Sequence, residues 1–395
     1  MANEKKKPHV CMIVHQDYYV DGRVRNYVNY LAEQEIPVDV ICVRPRSEKQ
    51  ATNVEKNVRV FTIPINRYKN RNYFVDDFIA MIHYFLTATR LYFKNRYLVF
   101  HVHNMPDFLV FAVLIPRIFG AKVILDIHDP MPEFYQSKFD VSEKAFIIRV
   151  LRFQERLSVW FANRIITANE NFKDLFISRG TKAEKITVIP NVPNPKIFAS
   201  AVDVATDQEF TMIYPGTVAP RYGLNIAIQA VAQLKEEMPD LKLRIVGSFN
   251  DHTEELRQLA DTLKVNDRVS FEPAVPIDQV SSLMRQSQIG VYPAIPDAHM
   301  AIATPTKVQE FIIVGLPVIA SRIFVLTQSF SDQSILYFEP GEVSGLCDQL
   351  RRLYRQPNLR AEMIKNARVE LAKTRDWEQE KNKYQNLVAN LTGNK

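Results

Sequence analysis

The sequence predicts an α/β protein built from two units, each a parallel sheet flanked by helices. Short runs rich in β-branched and aromatic residues alternate with longer amphipathic segments, the pattern of strands buried between helical layers. At 395 residues the chain is also too long for one ordinary core. Midway along it, Pro190-Asn-Val-Pro-Asn-Pro195 interrupts the alternation. Three prolines in six residues remove amide donors and restrict their predecessors, so neither helix nor central strand continues there, and a hinge is expected.

In the first half, strands are expected at Val10–Val14, Val38–Val43, Val58–Ile63, 98–102, Lys122–Ile127, Arg164–Thr167 and 186–189, with helical patterns between most of them. After the hinge the alternation restarts, with strands at 210–214, 242–246, 268–271, Ile289–Tyr292, 317–320 and Ile335–Phe338. The units are placed at 1–192 and 193–374. The remaining 375–395 reads as an amphipathic helix, with Trp377, Tyr384, Leu387 and Leu391 gathered on one face, and is expected to pack back towards the first unit. No internal repeat or low-complexity stretch points to a solenoid.

Composition narrows the function classes. With 47% hydrophobic and 24% charged residues the chain is neither disordered, collagen-like nor disulfide-rich. Runs such as Phe108 to Ile115 and Phe311 to Ala320 are far shorter than the roughly 20 residues that cross a bilayer. Cys11, Cys42 and Cys347 lack any CxxC spacing and read as buried thiols in a reducing compartment. The start, MANEKKKPHV, has no apolar h-region, so a cytoplasmic protein is expected. Residues 1–200 hold 29 Lys and Arg against 20 Asp and Glu, a net +9, while the remainder carries −3. A basic first half suits an anionic acceptor or an anionic membrane face, or is simply a solvated basic surface; nucleic acid is not expected as a partner.

Two segments of the second half carry phosphate chemistry. Tyr214-Pro-Gly-Thr-Val-Ala-Pro-Arg-Tyr-Gly223 joins a strand to a helix. Gly216 and Thr217 at such a turn let the backbone approach a diphosphate, and the helix start adds free amides. Arg221 could grip the diphosphate with its guanidinium fork, or be an exposed loop residue. Ala303-Thr-Pro-Thr-Lys-Val-Gln-Glu-Phe then opens a helix near Thr306, which Gly315 stops. Thr306 and Lys307 would meet a phosphate there. Glu310, one turn on, would accept from ribose hydroxyls or pair with a neighbouring base.

The order of strand, GT-x3-RYG, a strand ending in Ile-Val-Gly247, and PTKVQEF-x3-GLPVIAS resembles the donor half of glycosyltransferase family 4, retaining enzymes of the GT-B fold. Asp21-Gly-Arg-Val24 resembles an acceptor-side D-x-R-V loop. Leu125-Asp-Ile-His-Asp-Pro-Met-Pro-Glu133 resembles a D-x-H-(D/E)-x-x-P-E segment, and Ala162-Asn-Arg-Ile-Ile-Thr167 with Val188-Ile-Pro-Asn191 matches the approach to the hinge. The resemblance covers nearly the whole chain except about Lys49 to Arg96. It implies two Rossmann-like domains facing a cleft that hinge closure assembles, with the acceptor on the first domain and the nucleotide sugar on the second. Arg221 and Lys307 would hold the donor diphosphate and stabilise the leaving nucleotide, Glu310 would bind the ribose, and His128 would sit beside the sugar.

Fixed cations at the leaving group do this work without a metal. No D-x-D triplet occurs, so metal-independent transfer is expected, with no cofactor and a UDP- or GDP-sugar as donor. Asp21, Arg23 and His103 fall on the acceptor side, and the acceptor is a glycan, a lipid-linked molecule or a small molecule. Asp129 and Glu133 are not spaced as a glycosidase carboxylate pair. Two departures stand out: Ile302 occupies the place of the family's first glutamate, leaving Asp297, His299 or backbone amides to meet the donor sugar, and His15 to Asp21 lacks the usual paired glycines.

Other readings remain open at this level. His101 and His103 alternate on one strand near His128 and Asp129, which allows a metal centre. An oxidoreductase lacks its G-x-G-x-x-G. With Ile302 in place of the glutamate, the chain could also be a degenerate subunit that stabilises a partner transferase. Finally, Arg67, Lys69, Arg71, Arg90, Lys94 and Arg96 flank the pattern FVDDFIAMIHYFLTATRLYF. That segment could lie peripherally on the inner face of a membrane, or be an ordinary domain helix with snorkelling basic ends.

Overall fold

The structure is a computed structural model that describes residues 9–45, 57–65, 73–193, 198, 210–374 and 377–393. Arg67, Lys69, Arg71, Asn194, Pro195 and the side chain of Trp377 lie outside the described residues. Contacts divide the chain into two compact units, 1–191 with 377–395, and 192–376.

Unit 1 is a seven-stranded parallel sheet in the order β3-β2-β1-β4-β5-β6-β7, formed by β1 (Val10–Val14), β2 (Val38–Val43), β3 (Val58–Ile63), β4 (Val99–His103), β5 (Lys122–Ile127), β6 (Arg164–Thr167) and β7 (Ile186–Val188). β1, β2 and β4 are buried along their whole length, whereas edge strand β3 is buried only at its ends, Val58 and Ile63. Continuous apolar runs such as VCMIV therefore suit strands covered on both faces. The chain steps from β1 out to β3, then returns to β4 and runs on to β7. Right-handed crossovers consequently put α1 (Gly22–Glu33) on one face and α2 (Tyr73–Asn95), α3 (Leu114–Ile118), α4 (Met131–Phe139), α5 (Phe146–Phe161) and α6 (Glu170–Ser178) on the other.

Unit 2 is a six-stranded parallel sheet in the order β10-β9-β8-β11-β12-β13. Its strands are β8 (Phe210–Pro215), β9 (Leu241–Gly247), β10 (Val269–Pro273), β11 (Ile289–Tyr292), β12 (Val318–Ser321) and β13 (Ile335–Phe338). Its helices are α7 (Leu224–Leu234), α8 (Asp251–Thr262), α9 (Ile277–Arg285), α10 (Thr306–Val314), α11 (Phe324–Thr327), α12 (Val343–Arg355) and α13 (Pro357–Thr374). A Cβ on Gly290 would lie 2.4 Å from the Phe311 ring, so α10 packs flat on β11 only because that strand carries a glycine. Gly315, at φ 96°, ends α10 in the left-handed conformation.

The last helix, α14 (Trp377–Thr392), completes unit 1. Tyr384, Leu387 and Val388 join the core formed by β1, α1 and β4, and the Tyr384 ring lies 4.5 Å from that of Tyr27. Several strand ends differ from expectation by a residue or two. At β4 the difference matters, because the strand runs to His103 and makes that histidine a paired, fully buried strand residue.

Candidate functional site

In each unit the candidate residues gather at the carboxyl ends of the strands, at the point where the strand order reverses, the usual ligand position in open α/β sheets. In unit 2 that point lies between β8 and β11. The Gly216 amide donates to the Val246 carbonyl (2.8 Å). A Cβ on Gly247 would stand 2.3 Å from the Gly216 carbonyl oxygen, so two glycines let the ends of β8 and β9 close up. The turn beyond is pinned from two sides. The Tyr214 hydroxyl donates to the Thr217 carbonyl (3.0 Å) and Asn250 Nδ2 donates to the Val218 carbonyl (2.8 Å). Gly223, at φ 61°, lies so close to the Pro293 carbonyl that a Cβ would meet it at 2.0 Å, and the Ile295 amide donates to the Arg221 carbonyl (2.8 Å).

α10 starts beside this turn. Pro305 caps it without a side-chain bond to the first amides, and Thr306 is its first residue. Lys307 Cε lies 3.6 Å from where a Gly216 Cβ would be, and Lys307 Nζ donates to Glu310 Oε2 at 2.7 Å. The glycine turn, a cation, a buried carboxylate and a helix N-terminus thus meet within one unit. Arg221 lies in the same loop, its guanidinium 5.3 Å from the Tyr222 ring centre. Asp297 shapes the backbone of its own loop. Its Oδ1 accepts from the His299 and Met300 amides (2.9 and 2.7 Å) and closes the turn that carries Ile302 and buries His299.

In unit 1 the reversal lies between β1 and β4. Register pairs His103 with Asp126, and the two-residue strand period puts His101, His103, Asp126 and, just past β5, His128 on one face. Asp126 Oδ2 is 3.6 Å from His101 Nε2, 3.3 Å from His103 Nδ1 and 3.4 Å from His128 Nε2. From α1, Arg23 Nε and Nη2 donate to the two oxygens of Asp126 (2.9 and 2.8 Å), and its Nη1 donates to the Ile189 carbonyl (2.9 Å). Burial favours the neutral form of Asp126, but Arg23, His128 and the hydrogen bonds from His101 and His103 outweigh it and hold the carboxyl well below the usual range. Burial pushes the pKa values of His101 and His103 down, that of His103 further. His128 keeps partial exposure, at 22%, and its backbone amide donates to Asn104 Oδ1 (2.7 Å). Asn104 Nδ2 donates in turn to the Asp129 carbonyl (2.7 Å) and to Asp107 (3.0 Å), stapling the loop after β5.

This arrangement corrects two expectations. Arg23 and His103 are interior groups, 6% and 0% exposed, and they support His128 instead of facing an acceptor. Asp21 is the N-cap of α1, its Oδ1 accepting from the Val24 amide (3.0 Å). His101, His103 and Asp126 have the closeness of a metal-ligand group, with Asp126 where Asp129 was expected. However, a divalent ion on Asp126 would sit against a guanidinium already bound to both carboxylate oxygens.

The two Rossmann-like units make the fold GT-B. Residues 20–192 match the family described as "Glycosyl transferase 4-like domain" and residues 197–370 match "Glycosyl transferases group 1". Both halves of the chain therefore belong to glycosyltransferase families. It is 23% identical to D-inositol 3-phosphate glycosyltransferase of Corynebacterium glutamicum over 373 residues, 88% of this chain and 85% of that one. Against enzymes of that description from Pseudarthrobacter chlorophenolicus and Kribbella flavida, both 24% identical, the match takes in 40% and 55% of this chain but spans only 38% and 54% of their length. Among solved structures, sucrose-phosphate synthase of Thermosynechococcus elongatus superposes with a TM-score of 0.79 at 18% identity, over 99% of this chain and all of that one. HepE of Anabaena, in complex with UDP-glucose, gives 0.71 at 15% over 97% and 100%. No helix among the described residues is long and apolar enough to cross a membrane.

Proposed function

We propose that the protein is a retaining, metal-independent transferase of the family 4 type that moves a sugar from a nucleoside-diphosphate sugar, UDP- or GDP-linked, to a glycan, lipid-linked or small-molecule acceptor held by unit 1. The observation that carries the donor assignment is the Lys307–Glu310 pair lying against Gly216 at the switch point of unit 2. One end of that pair suits a diphosphate and the other a ribose. Thr217, Thr306 and Arg221 complete the anion seat. The glycosidic C1–O bond to the diphosphate breaks while the acceptor oxygen bonds C1 from the same face, and the acceptor proton passes to the departing phosphate oxygen. Arg221 and Lys307 stabilise the charge that develops there. His128 orients a sugar hydroxyl, and His299 with its turn borders the donor sugar. A lipid-linked acceptor would put the working enzyme at the cytoplasmic face of a membrane.

Thermal unfolding across a panel of nucleoside diphosphates and their sugars tests this reading. A ligand at about 100 times its Kd adds roughly 2.7 kcal/mol to the native state. The expected result is a clear rise in Tm with one nucleotide series, unaffected by EDTA and diminished by Glu310→Ala. No shift with any nucleotide, for wild-type protein that melts cooperatively, would overturn the donor site.

A further inference from the structure

The face of unit 1 that carries α2, α3 and α5 is apolar where solvent would be expected. On α5, Phe146, Val150, Phe153, Leu157 and Trp160 are 74%, 39%, 63%, 40% and 72% exposed. At 100° per residue these five positions form one stripe, opposite the stripe of Ile148, Leu151 and Val159 that packs on the sheet. The helix is thus apolar on both sides and covered on one. The surface continues beyond it. Phe161 touches Phe111 (5.1 Å between rings) and stacks under Arg117 of α3 (4.4 Å), and past α3 Phe119 meets Phe93 of α2 (5.3 Å). Ile118 and Phe119 are 67% and 58% exposed.

Positive charge prevails around this surface. Arg149, Arg152 and Arg156 line one flank of the α5 stripe; Arg152 donates to exposed Glu143 (2.7 Å), whereas among the described residues Arg149 and Arg156 form no ion pair. The only acid of α5, Glu155, turns inward to Arg179. At the Trp160 end Lys185 donates to the Trp160 carbonyl (3.3 Å). Burial and the nearby charges of Arg117 and Arg164 push the Lys185 pKa down, as expected where cations are crowded together. An exposed aromatic stripe fringed by crowded cations is complementary to a surface with an apolar interior and an anionic skin. A second copy of this chain fits poorly in an antiparallel two-fold contact through α5, which would set arginine flank against arginine flank.

We propose that this face docks on an anionic lipid bilayer, with α5 lying in the plane of the interface. Phe146, Phe153 and Trp160 enter the acyl boundary, while Arg149, Arg156 and the Arg117–Arg164–Lys185 group meet lipid phosphates. The attachment uses the surface of unit 1 alone and stands or falls separately from the donor site of unit 2.

The test uses the full chain with vesicles of phosphatidylcholine, alone or mixed with phosphatidylglycerol. The protein has two tryptophans, so a Trp377→Phe background leaves Trp160 as the single reporter. Expected are flotation with anionic vesicles at least tenfold stronger than with neutral ones, weakening as salt rises, and a blue-shifted Trp160 emission quenched by brominated acyl chains. Phe146→Ser with Phe153→Ser, and separately Arg149→Glu with Arg156→Glu, should each cut binding at least tenfold while Tm and the nucleotide-induced shift stay unchanged. Three outcomes would overturn the proposal: no flotation of the wild type, equal flotation of folded variants, or a dimer in sedimentation velocity that the Phe146/Phe153 variant dissociates without any lipid binding.

Discussion

At the residue scale, Asp126 decides how unit 1 presents His128. Its two oxygens serve one guanidinium and three imidazoles, and one buried carboxylate can hold such a set only while ionised. Asp126→Asn keeps the shape and removes the charge. Arg23 is then a buried cation without an anion, at a cost of about 3–5 kcal/mol. Because the folded-state pKa of Asp126 is depressed, its contribution is present above the ordinary aspartate range and is lost only as pH falls through the lower folded value. The gap between wild type and variant should therefore be constant from neutral pH down to about pH 5 and close only in strong acid, as urea titrations at several pH values would register. In turnover, with the donor on unit 2 as proposed, kcat should fall while the donor KM stays put. A matching rise in donor KM would reduce Asp126 to a general structural role. The arrangement was half legible: D-x-H and H-x-H each announce a common face along a strand. The pairing of His103 with Asp126 is a non-local register, however, and no spacing announces Asn104 as the staple of the loop.

At the element scale, α5 carries its own titration switch. Arg179 is shared between Glu133 and Glu155, with buried Asp107 near by. Burial first, then the neighbouring carboxylates, pushes Glu155 up to about 8 against the pull of Arg179, and Asp107 is pushed up to about 6, chiefly by burial. Arg179, with Arg152 at 4.0 Å from Glu133 and itself drawn to Glu143, does not balance three carboxylates, so protons make up the difference. A raised folded-state pKa contributes stability that is complete below the ordinary value of 4.5 and is lost as pH rises through about 8. Unit 1 should accordingly weaken between about pH 5 and 9. Glu155→Gln should remove its share of that decline from the ordinary value of 4.5 up to about 8, leaving only the share of Asp107, which ends near pH 6. Melting curves over this range check it, and an unchanged slope in the variant would refute the assignment. Helices such as α5 also show where sequence reading stops. Its 146–161 pattern is apolar on two faces, so periodicity identifies the helix without saying which face the sheet takes. The strand ends that slipped, at β4, β7, β8, β9, β10 and β12, did so where an apolar run passes into a glycine, proline or polar turn without a sharp break in hydrophobicity.

At the scale of the whole molecule, the chain leaves unit 1, builds unit 2 and then returns its last helix to the first core. α14 lays Tyr384, Leu387 and Val388 over Tyr27, Tyr30 and the His101 strand, with the Tyr384 hydroxyl 3.0 Å from His101 Nδ1. The amphipathic stripe of this tail was plain in the sequence; the core it joins could only be guessed, because contacts between positions such as 384 and 27 carry no local signal. The physical consequence is an asymmetry of dependence. Unit 1 cannot cover α1 until residues beyond unit 2 are in place, while among the described residues the core of unit 2 includes none from α14. Leu387→Ala leaves a cavity beneath α14 worth about 2–5 kcal/mol. In native-state hydrogen exchange, the amides of β1, α1 and β4 should lose protection by about that amount, together with those of α14, while β8, β9 and α7 keep theirs. Because β4 carries His101 and His103 to the Asp126 cluster, the same substitution should lower turnover and leave the nucleotide-induced rise in the stability of unit 2 intact. Equal loss of protection in both sheets would mean that the two units unfold as one body and that the dependence on α14 is not confined to the first.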